Sequence, residues 1–307
     1  MDRRKFSQLS VASTLALLNG RVLAQDSVKE ITAGAPFKAN FAPEPQHMVG
    51  EKGKKFSYLD KISLAHDLGF RAWEDNWLKN KKNKELEKIA NRLREKEMTM
   101  GVSVITIGKG ILFNKPTEKD KEVLKKDLLR GVELAKITGQ TNMTMLTGAR
   151  DKSITREEQI KASVDTMKWC CDLVEEHGII LAQEPVSHPI AKKDPLLRSF
   201  ADGHLLCSLV DRKSCKLLAD FYHEGEIGNG GKLVEIAEEV WDQVSYVQFA
   251  DSPGRKEPGT GKLELAEITK FLRSKNYQGI IGMEHQTSIK GPEGVQILVD
   301  SYRKIDA

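Results

Sequence analysis

The chain has 307 residues, 39% of them hydrophobic and 30% charged, with a formal net charge of +4. That balance is globular: too apolar and too evenly charged for a disordered chain, and without a collagen-like glycine period. No stretch of about 18 uncharged apolar residues occurs, which excludes a multi-span membrane protein.

Residues 1–24 read as an export signal, with the domain in 25–307. Arg3-Arg4-Lys5-Phe6 gives a positive start, Val11 to Leu18 a short apolar run broken by Ser13 and Thr14, and Val22-Leu23-Ala24 a small-residue end before Gln25. This layout predicts cleavage, and the paired arginines point to the twin-arginine route; the alternative is an uncleaved anchor. The mature protein is then periplasmic or extracellular, without stable membrane insertion. The segment holds Arg3, Arg4, Lys5 and Arg21 against Asp2, so the rest of the chain is nearly neutral and gives no case for a nucleic-acid partner.

From Phe37 onward strand and helix signals alternate. Strand patterns occupy 37–41, 70–74, 98–107, 142–146, 179–184, 216–220, 245–250 and 279–284. Helical spacing fits 58–68, 85–96, 118–138, 155–176, 231–240, 263–274 and 294–303, while an irregular segment follows Pro185 before Ser208 to Arg212. Gly139 and Gly178 read as helix stops, and Thr155 with Glu158 as a capping box. Eight strands with helices between them predict a (β/α)8 TIM barrel, a single domain after the signal peptide. GxGxxG is absent after the first strand, and Gly228-Asn229-Gly230-Gly231 reads as a hinge. Cys170, Cys171, Cys207 and Cys215 show neither CxxC nor metal spacing; buried thiols are expected, with a Cys207–Cys215 pair left open.

In such a barrel the working side chains sit at the C-terminal strand ends. Those ends carry Glu74, Glu184, Asp220, Gln248 and Glu284, with His223 just past Asp220. The last four are separated by 36, 28 and 36 residues, each about one βα unit. Converging carboxylates repel one another unless a cation joins them, and an all-oxygen set suits Mg²⁺ or Mn²⁺. The alternative for each acid singly is a loop cap or an ion pair.

Four segments make the pattern more specific: Gln183-Glu184-Pro185, Ala219 to His223, Gln248 to Gly261, and Gly282-Met283-Glu284-His285. Together they resemble the hydroxypyruvate isomerase family of the xylose isomerase-like barrels, which also holds ketose 3-epimerases. The resemblance implies a metal held by Glu184, Asp220, Gln248 and Glu284, with Glu184 and Glu284 as the catalytic proton-transferring pair. It also implies that His223 and Arg255 face the substrate, a small sugar or hydroxy-carbonyl compound. The chain departs from the family pattern at Ser187, Tyr246 and His285-Gln286, positions that bear on substrate choice.

Glu74 and His188 are further expected substrate contacts, with His285 beside them and His47 as a lid residue. For His223 the alternative is a hydrogen bond fixing Asp220; for Arg255 it is pairing with Asp251 or Glu257. The expected activity is an isomerase working through an enediolate. The alternatives are an epimerase or lyase on the same site, an exported sugar-binding barrel without turnover, and a metal-dependent phosphodiesterase. A homo-oligomer is left open.

Overall fold

The computed structural model describes residues 34–50, 56–189 and 192–307. The expected export signal lies outside them. Strands follow in chain order: β1 (Asn40–Ala42), β2 (Ala72–Trp73), β3 (Thr99–Met100), β4 (Val104–Thr106), β5 (Asn142–Met145), β6 (Ile180–Gln183), β7 (Cys215–Asp220), β8 (Val244–Gln248) and β9 (Ile280–Gly282). All pair in parallel. Seven form one curled sheet in the order β1-β9-β8-β7-β6-β5-β4, and β2 pairs with β3. Backbone bonds join the two: the Glu74 N–H donates to Pro43 O at 3.1 Å and the Val104 N–H to Asn76 O at 3.2 Å. The outcome is the expected barrel, with β3 and β4 sharing its third position.

The single strand expected over 98–107 is interrupted at Gly101-Val102-Ser103. A Cβ on Gly101 would lie 2.4 Å from the Tyr246 hydroxyl, so only glycine fits there. Val102 then turns its N–H inward to the Tyr246 hydroxyl at 3.3 Å instead of to a neighbouring strand.

The helices are α1 (Tyr58–Asp67), α2 (Asn83–Glu95), α3 (Glu118–Thr138), α4 (Arg156–Ala162), α5 (Val164–Asp172), α6 (Phe200–Val210), α7 (Phe221–Glu224), α8 (Leu233–Val240), α9 (Leu265–Ser274) and α10 (Pro292–Ile305). Thr117 and Asp120 cap α3 reciprocally, and Gly139 ends it in the left-handed region at φ 78°. Two helical expectations need correction. The run over 155–176 breaks at Ser163, whose hydroxyl donates to Gln159 O at 2.7 Å. The segment read as irregular contains α6, opened by a capping box of Ser199 and Asp202. Its apolar residues Phe200, Leu205, Leu206, Cys207, Leu209 and Val210 wrap around the helix, so no amphipathic stripe announced it.

Strand parity divides the barrel into two zones, since alternate side chains point to opposite faces. Phe41, Trp73, Leu181, Leu217, Ala219, Val247, Phe249, Ile281 and Met283 pack outward in the large core. Ala42, Ala72, Val102, Ala182, Leu218, Tyr246 and Ile280 fill the interior. The four cysteines are buried free thiols, with Cys207 and Cys215 sulfurs 3.9 Å apart.

Asp306, buried at the end of α10, ties the chain's last helix to the strand that closes the barrel. Its oxygens accept the Lys38 N–H at 2.7 Å and the Ala39 N–H at 2.9 Å, and Arg273 Nη2 at 3.1 Å. Replacing Asp306 by Ala strands these donors and should cost about 1–3 kcal/mol of stability, read as a lower urea midpoint.

Candidate active site

The interior parity that runs through Ala182, Leu218 and Ile280 continues to Glu184, Asp220 and Glu284 at the C-terminal end, and Tyr246 leads to Gln248 in the same way. Strand register sets Asp220 opposite Gln248, and Gln248 opposite Gly282. The first half adds two acids by the same rule: Glu44 beyond Ala42 and Glu74 beyond Ala72. All except the half-buried Glu284 are buried.

Of the expected site residues, Glu184, Asp220 and His223 draw together, and Arg255 joins Asp220 to Glu284. One nitrogen, Arg255 Nη2, lies 3.1 Å from both Asp220 Oδ2 and Glu284 Oε1. His223 Nε2 lies 3.6 Å from Glu184 Oε1 and 3.5 Å from Asp220 Oδ2. One donor atom from each of Glu184, Asp220 and His223 falls within 4.8 Å of the others. Gln248 is fully buried; its Nε2 donates to Glu74 Oε1 at 2.7 Å, and its Oε1 has no hydrogen-bond partner.

The charges oppose one another. Burial pushes the Asp220 carboxyl up to about 7, with Arg255 countering and Glu284 adding to the rise. Burial, then the charges of Glu284 and Asp220, raises Glu184 well above the usual carboxylate range. Arg255 remains a firm cation: burial works against its charge, but Glu284, Asp220 and Glu184 hold its pKa above the ordinary value. Acids held out of water in this way at the C-terminal end of a barrel are the arrangement expected of a functional site.

Local structure positions each group. Asp220 caps α7, its Oδ1 accepting the Tyr222 N–H at 2.9 Å, which aims Oδ2 inward. His223, on that short helix, accepts the Ser187 N–H at Nδ1, 3.3 Å away, so Nε2 carries the proton facing Glu184 and Asp220. Arg255 sits in the left-handed region at φ 50°, on a loop folded around Asp251. Asp251 accepts the backbone N–H groups of Ser252, Gly259 and Leu263, and Glu257 accepts the Ser288 N–H. Asp251 and Glu257 therefore build loops and are not the partners of Arg255.

This barrel has relatives. A family model described as Xylose isomerase-like TIM barrel matches residues 62–305. The chain belongs to that family. As a xylose isomerase-like barrel it is 24% identical over 229 residues to 2-oxo-tetronate isomerase of Haemophilus influenzae, covering 75% of this chain and 88% of that one. It is 23% identical over 186 residues to hydroxypyruvate isomerase of Escherichia coli, covering 60% and 69%. Among solved structures, that of IOLI protein with a binding zinc atom superposes with a TM-score of 0.63 at 17% identity, covering 87% of this chain and 96% of that one.

The remaining expectations divide. His188 is exposed at the mouth, its ring 5.0 Å from that of His223. Glu74 is not an open mouth residue: it is fully buried, held by Tyr246 and Gln248. His47 is likewise buried rather than a lid. It accepts the Glu44 N–H at Nδ1, 3.0 Å away, so its Nε2–H donates to His285 O at 2.9 Å. His285 in turn donates from Nδ1 to Gln286 O at 3.0 Å and accepts from the Tyr302 hydroxyl at 2.9 Å. Glu44 escapes a sequence reading in which the first strand ends at Phe41; counting two residues past Ala42 finds it.

Burial holds the His47 pKa well below 6.5, with His285 adding to the effect. The unfolded chain therefore takes up a proton as pH falls below about 6.5 while the folded chain resists, and stability is lost in that direction. In His47→Gln the decline of Tm between pH 6.5 and 4.5 should be shallower than in wild type; equal slopes would contradict the assignment.

Proposed function

We propose that this barrel is a metal-dependent isomerase, moving a proton between adjacent carbons of a small hydroxy-carbonyl compound or sugar through an enediolate. The observation that supports the reading is the buried cluster of Glu184, Asp220 and His223, linked to Glu284 through Arg255, with Gln248 opposite Asp220 in the strand register and its Oε1 without a partner. A buried, partnerless amide oxygen on the strand next to that of Asp220, with Glu184 and Glu284 past the ends of the flanking strands, suits a hard divalent cation, Mg²⁺ or Mn²⁺, and Glu184, Asp220, Gln248 and Glu284 would hold it. When bound, such an ion supplies Lewis acidity toward a carbonyl and its neighbouring hydroxyl.

The chain's own residues do the rest. Glu184, buried and poorly hydrated, takes the proton from the carbon next to the carbonyl. Glu284, less buried and tethered to Arg255, exchanges the proton at the neighbouring carbon. His223 Nε2–H and the Arg255 guanidinium donate toward substrate oxygens as negative charge develops. His188 borders the entrance. Catalysis by the same residues on an inverted carbon would be epimerisation, which the product identifies.

Residues 1–24 are proposed to direct export, so the substrate is met outside the cytoplasm, among free sugars and keto-sugars rather than as hydroxypyruvate. The exported protein should then begin at Gln25. With Mn²⁺ present, a panel of aldoses, ketoses and keto-acids incubated in deuterated water should reveal at least one substrate that takes up solvent deuterium. Glu184→Gln should lower kcat for it by about 10²–10⁴-fold. Retained turnover in that variant, with metal still bound, would remove Glu184 from the proton-transfer role.

A further inference from the structure

We propose that Glu74 is a positioning residue, which turns the Gln248 side chain so that its amide oxygen, not its nitrogen, faces the ligand carboxylates. The inference rests on reading that cluster as a cation site.

An amide has two ends of nearly equal size and opposite polarity. Gln248 stands opposite Asp220 in the strand register, so electrostatics alone would draw its nitrogen toward that carboxylate, and a cation would then meet a donor. Glu74 competes for that nitrogen from the other side, accepting it at 2.7 Å. Its second oxygen is engaged as well: the Tyr246 hydroxyl lies 2.6 Å from Glu74 Oε2. The Val102 N–H already donates to the Tyr246 oxygen, so the hydroxyl proton is directed at Glu74. In its carboxylate form Glu74 has both oxygens accepting, so it offers Gln248 only an acceptor and the amide has one orientation.

The backbone is shaped for this arrangement. A Cβ on Gly282, in β9, would lie 2.2 Å from Glu74 Oε2, and one on Gly101 would lie 2.4 Å from the Tyr246 hydroxyl and 3.4 Å from Glu74 Oε2. The backbone thus omits side chains at two points where the Glu74–Tyr246 pair sits, in β9 and just after β3. Groups that orient a metal's ligands typically change its affinity by about 10–100-fold when altered.

Glu74→Gln keeps the size of the side chain but breaks the pattern. The Tyr246 hydroxyl still needs an acceptor and takes the carbonyl oxygen of the introduced amide, so the new NH₂ faces Gln248 and forces its side chain to turn. Mn²⁺ binding to the full chain, followed by calorimetry and by electron paramagnetic resonance of the free ion, should weaken about 10–100-fold while Tm and far-ultraviolet dichroism stay near wild type. In a Gln248→Glu background the same substitution should cause no such loss, because a carboxylate accepts from the introduced NH₂ and still presents an oxygen to the ion. A loss of equal size in both backgrounds would make Glu74 a packing residue and overturn the inference. Wild-type affinity in Glu74→Gln alone would do the same while leaving the cation site intact. If Glu74→Gln does not fold, the comparison of Gln248→Glu with the double variant decides: weaker binding in the double variant overturns the inference. Failure of wild-type protein to bind Mn²⁺ would instead overturn the reading of the site itself.

Discussion

Like charge, held out of water at one end of the barrel, is the constraint around which the molecule is arranged. Glu44, Glu74, Glu184, Asp220 and Glu284 share the interior parity of their strands, and burial raises the pKa of the first four. Burying carboxylates without compensation costs several kcal/mol each. Their protonation, the Arg255 guanidinium and the cation proposed here are three ways of relieving the same repulsion. Below them the interior is filled by uncharged residues, several of them small, so the acids have no lower layer into which to spread.

The loop from Gln248 to Gly261 shows how such a site is supported without adding to its charge. Asp251 commits its oxygens to backbone N–H groups, and Glu257 reaches across to Ser288 beyond β9. Both acids are taken up in fixing the loop. What the loop delivers is Arg255, whose Nε also donates to Glu284 O at 3.0 Å and whose guanidinium lies 4.9 Å from the centre of the Tyr222 ring. Beyond Gln248, this segment is mainly a scaffold for one cation, Arg255.

A second network closes the barrel seam. His47, after β1, bonds the carbonyl of His285, after β9, and their rings lie 4.6 Å apart. Tyr302 from α10 completes the chain, so the first strand, the last strand and the last helix share one neutral hydrogen-bonded line. Burial keeps the His285 pKa down at about 4 despite the carbonyl of Gln286. Neutral imidazoles here add no charge to the acids nearby, and each nitrogen has a defined donor or acceptor role.

Periodicity alone determined the strand–helix alternation, the barrel, and the four strand-end residues 184, 220, 248 and 284, because strand parity and βα spacing are local properties of the chain. Local signals failed where distant contacts decide the backbone: Gly101 breaks its strand to make room for Tyr246, and α6 is apolar on too many sides to show a stripe. The same holds within the site. That Glu74 lies under Gln248 rather than at the mouth, that Arg255 pairs with Asp220 and Glu284 rather than with its sequence neighbours, and that His47 meets His285 are facts of the folded barrel. Each joins residues that curvature brings together across 29 to 238 positions, and no pattern along the chain encodes that curvature in advance.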